Sequence, residues 1–377
     1  VNGTQTAGSF SRALLQKVAD QNTARISEDF ISEINAGTAG SRNSILNLFV
    51  NYQTSLPFIS QFYRDKLSGN YSLLNNLSGF STLNMNFKSD AMMFNGITRI
   101  DTLKQGYLNL FLNQAATRGT TMRLIPQSVA NALQFNLSDY TRFETDLRKL
   151  FKSRKELEPL TAEISRMGAE TGINPERDIR NTWAQEFNTF QTANHERFGI
   201  IKVKDGRRLG FLLEPLSSET TPEIRKLNYS NLFYFYFGDP FRSFKRPYYF
   251  ISDNLVIFSN SLRGLQTYIN DYKREKFLYQ TPKYRTFEQL VSNQANISLF
   301  IHNGNSRSLT QSSLKKRYAR NFTAKEGAMR NFYGLSYQWS SDDGHFFTNL
   351  YLATVPEDPA NQVVLSDSLL NTLGTGD

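Results

Sequence analysis

Two stretches of this chain carry the same order of signals, and that duplication limits the folds open to it more than any other feature. Upstream, Leu46-Asn47-Leu48-Phe49-Val50 reads as a buried strand, residues 58–67 as a helix-like segment, and residues 80–87 with 92–98 as a strand pair around Lys88-Ser89-Asp90. Downstream, Ile297-Ser298-Leu299-Phe300-Ile301, residues 309–318, and residues 332–339 with 345–352 around Ser341-Asp342-Asp343-Gly344 repeat the pattern. Asp-Gly between alternating apolar runs is a hairpin signal. Ahead of each strand, a helix within 8–20 has its counterpart in 259–271, and a short helix at 26–34 has one at 286–292. Even cations correspond, with Arg64 and Lys66 opposite Lys315 and Arg317. The offset drifts only from about 251 to about 254 residues, as small loop insertions in two copies of one module would produce. The shared positions are apolar. The polar ones differ, with His302 facing Asn51 and His345 facing Ala91.

Between the copies the pattern changes. Met122-Arg123-Leu124-Ile125-Pro126 opens this part, followed by an apolar run over 132–135. Ser138 is placed to N-cap a helix with Phe143, Leu147, Leu150 and Phe151 on one face. Asn174-Pro175-Glu176 combines an N-cap, Pro at N1 and an acid in the first turn, and predicts a helix carrying Ile179, Trp183 and Phe187 in one stripe. Lys204-Asp205-Gly206-Arg207 between 198–203 and 208–213 predicts a hairpin. Residues 232–237 alternate Phe with Tyr and predict a strand, and residues 248–251 and 255–258 predict a hairpin around Ser252-Asp253-Asn254. After Val355-Pro356-Glu357-Asp358-Pro359 the chain turns small and polar, as linkers and tails do.

The expected fold class is α+β: tandem antiparallel-sheet modules flanked by helices, with an internal repeat. Residues 1–117 would be the C-terminal part of a first repeat, 118–250 the early module of a second, 251–356 its late module equivalent to 1–117, and 357–377 a linker or tail. A chain of 377 residues can bury a core in each unit, and its 30 Phe and 18 Tyr favour strands with large side chains. No apolar run reaches the length of about 18 residues that a membrane span needs. The chain opens at Val1 without Met or a basic-then-apolar leader, as a trimmed or mature form would.

Chemistry is sparse. With no cysteine, disulfides, thiolate zinc sites and cysteine nucleophiles are excluded. The three histidines, His195, His302 and His345, have no ligand spacing, and no metal or other cofactor is expected. Neither a phosphate-binding glycine loop nor a Gly-x-Ser-x-Gly elbow is present. Carboxylate pairs such as Glu156 with Glu158 and Asp342 with Asp343 read as solvated surface. Asn-x-Ser/Thr matches at Asn70, Asn136 and Asn321 are what an Asn-rich chain makes by chance.

The net charge of +9 raises a polyanion partner, although the basic residues mostly alternate with acids. The densest run, Arg148-Lys149-Leu150-Phe151-Lys152-Ser153-Arg154-Lys155, reads as the solvated face of a helix. A second segment interleaves aromatics with cations: Phe241-Arg242-Ser243-Phe244-Lys245-Arg246-Pro247-Tyr248-Tyr249. Arg242, Phe244, Lys245, Arg246 and Tyr248 are therefore the candidate ligand contacts, suited to an anionic glycan; the alternative is a loop whose aromatics plug the core.

Leu124-Ile125-Pro126, Ser138-Asp139-Tyr140-Thr141-Arg142-Phe143, the run from Tyr249 to Ser261, Tyr284-Arg285-Thr286-Phe287 and Asn296-Ile297-Ser298-Leu299-Phe300-Ile301 occur in an order that resembles a domain-of-unknown-function family of Bacteroidota-type cell-envelope proteins. In that family such modules often precede a β-propeller-like region. The resemblance covers most of 118–356, with 1–117 as the end of a preceding copy, and brings no catalytic residues. It implies a non-enzymatic, extracytoplasmic scaffold or interaction module in the periplasm or envelope, with a protein partner there. Nucleic acid is not expected, and membrane association would run through an anchor in a longer parent.

Overall fold

The computed structural model describes residues 45–88, 91–323 and 332–354. The helices expected at 8–20 and 26–34 and the tail after Val355 lie outside them. The fold is mixed α+β, built on a single thirteen-stranded sheet in which every neighbouring pair is antiparallel.

In chain order the strands are β1 (Leu46–Asn51), β2 (Phe80–Lys88), β3 (Ala91–Arg99), β4 (Thr117–Arg118), β5 (Val129–Asn136), β6 (Trp183–Thr192), β7 (Arg197–Val203), β8 (Ser217–Glu219), β9 (Arg225–Leu227), β10 (Tyr248–Ser252), β11 (Leu255–Ser259), β12 (Gln294–Ala295), β13 (Ile297–His302), β14 (Phe332–Asp342) and β15 (His345–Thr354). Across the sheet they run β1-β2-β3-β15-β14-β13-β5-β6-β7-β11-β10-β9-β8, while β4 and β12 pair separately.

The hairpins expected at 80–98, 248–258 and 332–352 all form. Asp343 and Gly344 take φ of 40° and 79°, the left-handed pair that a two-residue hairpin turn requires.

Helices cover both faces of the sheet. On one face lie α2 (Tyr140–Ser153), α3 (Leu157–Thr171), α4 (Gly206–Leu213) and α5 (Leu232–Phe237), following α1 (Tyr52–Ser60) in the chain. Their Phe143, Leu147, Ile164, Leu209 and Phe237 pack with Phe135, Phe187, Ile201 and Phe258 of the sheet. On the other face, α6 (Leu262–Lys273) and α7 (Pro282–Glu288) bring Leu265, Tyr268, Tyr284 and Phe287 against Phe190, Phe198, Ile257 and Phe300. After β13 come α8 (Asn303–Ser313) and α9 (Lys316–Thr323).

Several sequence expectations are corrected. Leu46–Val50 is not buried: among the described residues β1 ends the sheet with one neighbouring strand, and Leu46 and Leu48 are exposed. Residues 232–237 form helix α5, entered through Asn231 at φ 62° and left through Gly238 at φ 74°. All six side chains are buried, so alternation of Phe with Tyr carried no inside–outside information. Asn174 does cap a turn, accepting from the Arg177 N–H, but Pro175–Ile179 is a single π-type turn and Trp183 begins β6. A four-residue spacing suits a strand as well as a helix, and Trp183 and Phe187 are both inward.

The turn at 204–207 makes no hairpin either. Asp205 caps α4 through the Arg208 N–H, and the Gly206 N–H donates to Asn254 Oδ1, so β7 pairs with β11 instead. The cap of α2 is Asp139; Ser138 binds Gln114 and the Ala115 N–H. The helix expected at 286–292 is α7, started four residues earlier by Pro282 at N1.

His302 has a clear local role. As the N-cap of α8 its Nδ1 accepts from the Asn305 N–H at 3.1 Å, the position Asn51 fills for α1 by accepting from the Gln53 N–H. Burial lowers the imidazole pKa, and Lys283 lowers it further. The folded chain thus prefers neutral His302, while the unfolded chain takes up a proton once pH falls below the ordinary value near 6.5. This contribution to stability is complete above that pH and is lost below it. His302→Asn keeps a cap that does not titrate. Thermal melts at pH near 7.5 and 5.5 should show the variant losing about 2 °C less than wild type; equal losses would exclude the effect.

Candidate functional site

The segment 241–249 follows a short 3-10 turn, Asp239–Phe241. Phe244 is 1 % exposed, with its ring centroid 5.0 Å from that of Phe258, and Phe241 sits at the same distance from Phe258. Both are core residues. Arg242 donates to Glu156 Oε1 at 2.5 Å and to the Tyr234 hydroxyl at 2.6 Å. Partial burial pushes the Glu156 carboxyl upward, but hydrogen bonds from Tyr234 and Arg242 outweigh it and hold its pKa below the usual value. Lys245 reaches Asn231 Oδ1 at 2.7 Å, Arg246 reaches Ser230 Oγ at 3.1 Å, and the Lys226 ammonium lies 4.9 Å from the Tyr248 ring centroid. The fold thus gives each of the five residues a partner within the chain.

The basic run of α2 is likewise engaged. Arg148 pairs with Glu144 and Glu176 and stacks on Phe235, Lys149 pairs with Asp146, and Arg154 pairs with Asp239. Asn70 and Asn136 are buried with hydrogen-bonded amides, which leaves no room for a glycan on either; the Asn321 side chain lies outside the described residues. His195 contacts Ser308, His302 caps α8, and His345 lies 3.9 Å from Asp342. Among the described residues no three His, Asp or Glu side chains are grouped to hold a metal.

A different constellation emerges from strand register. Directly paired residues share a face, and Asn47, Asn84, Asn95, Asn349, Gln338, Ser298, Gln134 and Asn188 are paired in succession across eight strands from β1 to β6. The row runs from exposed Asn47 to fully buried Asn188. At its centre Asn95 Nδ2 donates to Asn349 Oδ1 at 2.6 Å.

Where the row passes under α7 it floors a partly open pocket of about 110 Å³ lined by Gln134, Asn136, Ser298 and Gln338 with Tyr284 and Phe287. That volume holds a few water-sized molecules at about 30 Å³ each. Gln338 clamps Ser292, accepting from its N–H at 3.0 Å and donating to its carbonyl at 2.9 Å. Gln134 donates to Glu186 Oε1 at 2.7 Å, and the same carboxylate accepts from the Thr120 and Thr121 N–H groups at 2.5 Å each and from the Thr120 hydroxyl at 2.9 Å. Asn136 Nδ2 holds the Ala295 carbonyl at 2.8 Å, while its Oδ1 has no partner in the protein.

Most of the polar chemistry here therefore fastens two main-chain segments, near 120 and 292–295, onto the sheet. Sequence reasoning missed Gln134, Glu186 and Gln338. The available signal was the run Val129–Asn136, buried at every position yet interrupted by Asn131, Gln134 and Asn136.

No family model matches the chain, and no curated protein matches it. Among solved structures it is similar to crystal form I of TP0453, with a TM-score of 0.30 and 10 % identity over 65 % of this chain and 84 % of that one. Crystal form III of TP0453 gives a TM-score of 0.28 and 10 % identity over 66 % and 85 %.

Proposed function

We propose that this chain is a non-enzymatic interaction module of a bacterial cell envelope, extracytoplasmic, which takes a protein partner at the β1 end of its sheet. One observation carries the reading: Leu46 and Leu48 on β1, which ends the sheet among the described residues, Ile45 just before it and Phe87 on neighbouring β2 expose 51, 37, 68 and 57 % of their surfaces. Exposed apolar side chains grouped at one sheet end are what protein recognition uses. The polar residues around the α7 cavity support a non-enzymatic role, because their hydrogen bonds hold loops in place and Glu186 already accepts from four donors. The envelope location rests on the family resemblance.

An internal repeat is part of the same proposal. Strands β1-β2-β3 and β13-β14-β15 meet in mirrored order through β3 and β15. At that seam Asn95 pairs with Asn349, 254 positions on, and Tyr63 bridges Leu314. Each is a position paired with its own counterpart in the alignment of the two copies, as a two-fold relation between them would produce.

The partner test is capture from an envelope extract by wild type and by Leu46→Asp/Leu48→Asp. If the surface is used, a specific protein is retained by wild type and its recovery falls at least about 10-fold with the variant. Equal recovery by both would sink the reading.

A further inference from the structure

The segments 58–67 and 309–318, equivalent in the duplicated pattern, meet in space. Tyr63 forms an antiparallel bridge with Leu314, the Arg64 N–H donates to the Ser313 carbonyl at 2.9 Å, the Lys315 N–H donates to the Phe62 carbonyl at 2.9 Å, and Arg64 Nε reaches the Leu314 carbonyl at 2.8 Å. This junction gathers Arg64, Lys66, Lys315, Lys316 and Arg317, all exposed. Asp65 is the one acid in the two segments. Among the described residues none of the five cations is in an ion pair, unlike Arg148, Arg154 and Arg242.

The same patch carries apolar surface. Phe58 is 60 % and Ile59 39 % exposed. The Phe58 ring packs edge-on against Phe62, Phe62 packs against Tyr318 at 4.8 Å, and the Arg317 guanidinium lies 4.5 Å from the Tyr318 ring centroid. The cations and the exposed Phe and Ile therefore form one continuous surface.

Uncompensated positive charge attracts any polyanion. A glycan or nucleic acid can stack on Phe58 but gains nothing from the aliphatic Ile59 exposed beside it. An anionic bilayer satisfies both, with cations at headgroup phosphates and apolar side chains at the acyl boundary. We propose that this junction docks the protein on an anionic lipid surface, through Arg64, Lys66, Lys315, Lys316 and Arg317 with Phe58 and Ile59. The proposal is independent of the β1 surface, and vesicles replace extract in its test.

The full chain would be floated with vesicles of phosphatidylcholine alone or with about 30 % phosphatidylglycerol, at about 0.05 and about 0.5 M salt. Binding is expected to the anionic vesicles at low salt, falling at least about 10-fold at high salt. Each cation near such a surface contributes about 5-fold, so Lys315→Gln/Lys316→Gln should weaken binding about 25-fold. Phe58→Ser/Ile59→Ser should weaken vesicle binding several-fold and leave binding to heparin unchanged. These residues are exposed, so unchanged melting curves will show that the variants fold. No flotation at low salt, or equal flotation with neutral vesicles, would overturn the proposal. So would a Phe58→Ser/Ile59→Ser variant that floats as wild type does while the protein binds heparin tightly, an outcome that assigns the patch to a soluble polyanion.

Discussion

Glu186→Ala is expected to lower folding stability by about 3–5 kcal/mol, because it leaves buried donors facing an empty site. The Glu186 side chain is 8 % exposed, and its carboxylate accepts from two main-chain N–H groups, the Thr120 hydroxyl and the Gln134 amide, with Lys202 3.6 Å away. Methyl replacement removes every one of those acceptors, and although Thr120 is exposed, the Thr121 N–H and the Gln134 amide stay buried without a partner there. Glu186→Gln keeps the shape but turns one oxygen into a donor among donors, so it should lose roughly half as much. Denaturant midpoints give the magnitude, and amide hydrogen exchange at Thr120 and Thr121 gives the location. A loss under about 1 kcal/mol, with both amides still protected, would show that other groups hold this loop.

The next residue tests the opposite face of the same strand. Phe187→Ala should cost about 3–5 kcal/mol and Phe187→Leu about 1 kcal/mol. Phe187 is fully buried, stacked on Phe135 at 4.8 Å, with Phe237 at 4.9 Å and Phe241 at 5.6 Å. Three of those rings come from elements distant in sequence, so the cavity left by Ala cannot close without moving α5 against the sheet. Urea unfolding of both variants checks the ratio; a similar small loss for both would mean that the core repacks around the site.

Local signals carried the elements whose ends are chemically marked. Ser252-Asp253-Asn254 and Asp343-Gly344 made hairpins because their backbone conformations are set within a few residues. Helix α2 formed because Phe143, Leu147 and Leu150 supply one apolar face whatever surrounds them.

Elsewhere the neighbours decided. Leu46 and Val50 resemble Ile297 and Ile301 as sequence, yet among the described residues β13 lies between two strands and β1 has one, and no local pattern distinguishes a central strand from a terminal one. Residues 232–237 are apolar on every side, so period cannot tell helix from strand; the core on all sides made them α5.

The cavity was illegible for a related reason. Gln134, Ser298 and Gln338 are separated by 40 or more residues from one another and become neighbours only through strand pairing. In the basic-aromatic loop, the sequence showed that Phe241 and Phe244 interleave with cations, but whether they face solvent depended on Phe258, whose ring waits beneath them.

The eight-membered row from Asn47 to Asn188 has a consequence for assembly. Several of these strands are apolar on both faces, and in such a strand a slip of one residue exchanges one set of apolar side chains for another at little cost. The row removes that degeneracy. Moving β5 by one position would take Gln134 away from the Glu186 carboxylate and turn it toward the rings of Phe111 and Phe187, which pack on Phe135 on the other face, where burying an unbonded amide is costly. The row thus acts as an alignment key, reporting at each strand whether the next has docked in the right place.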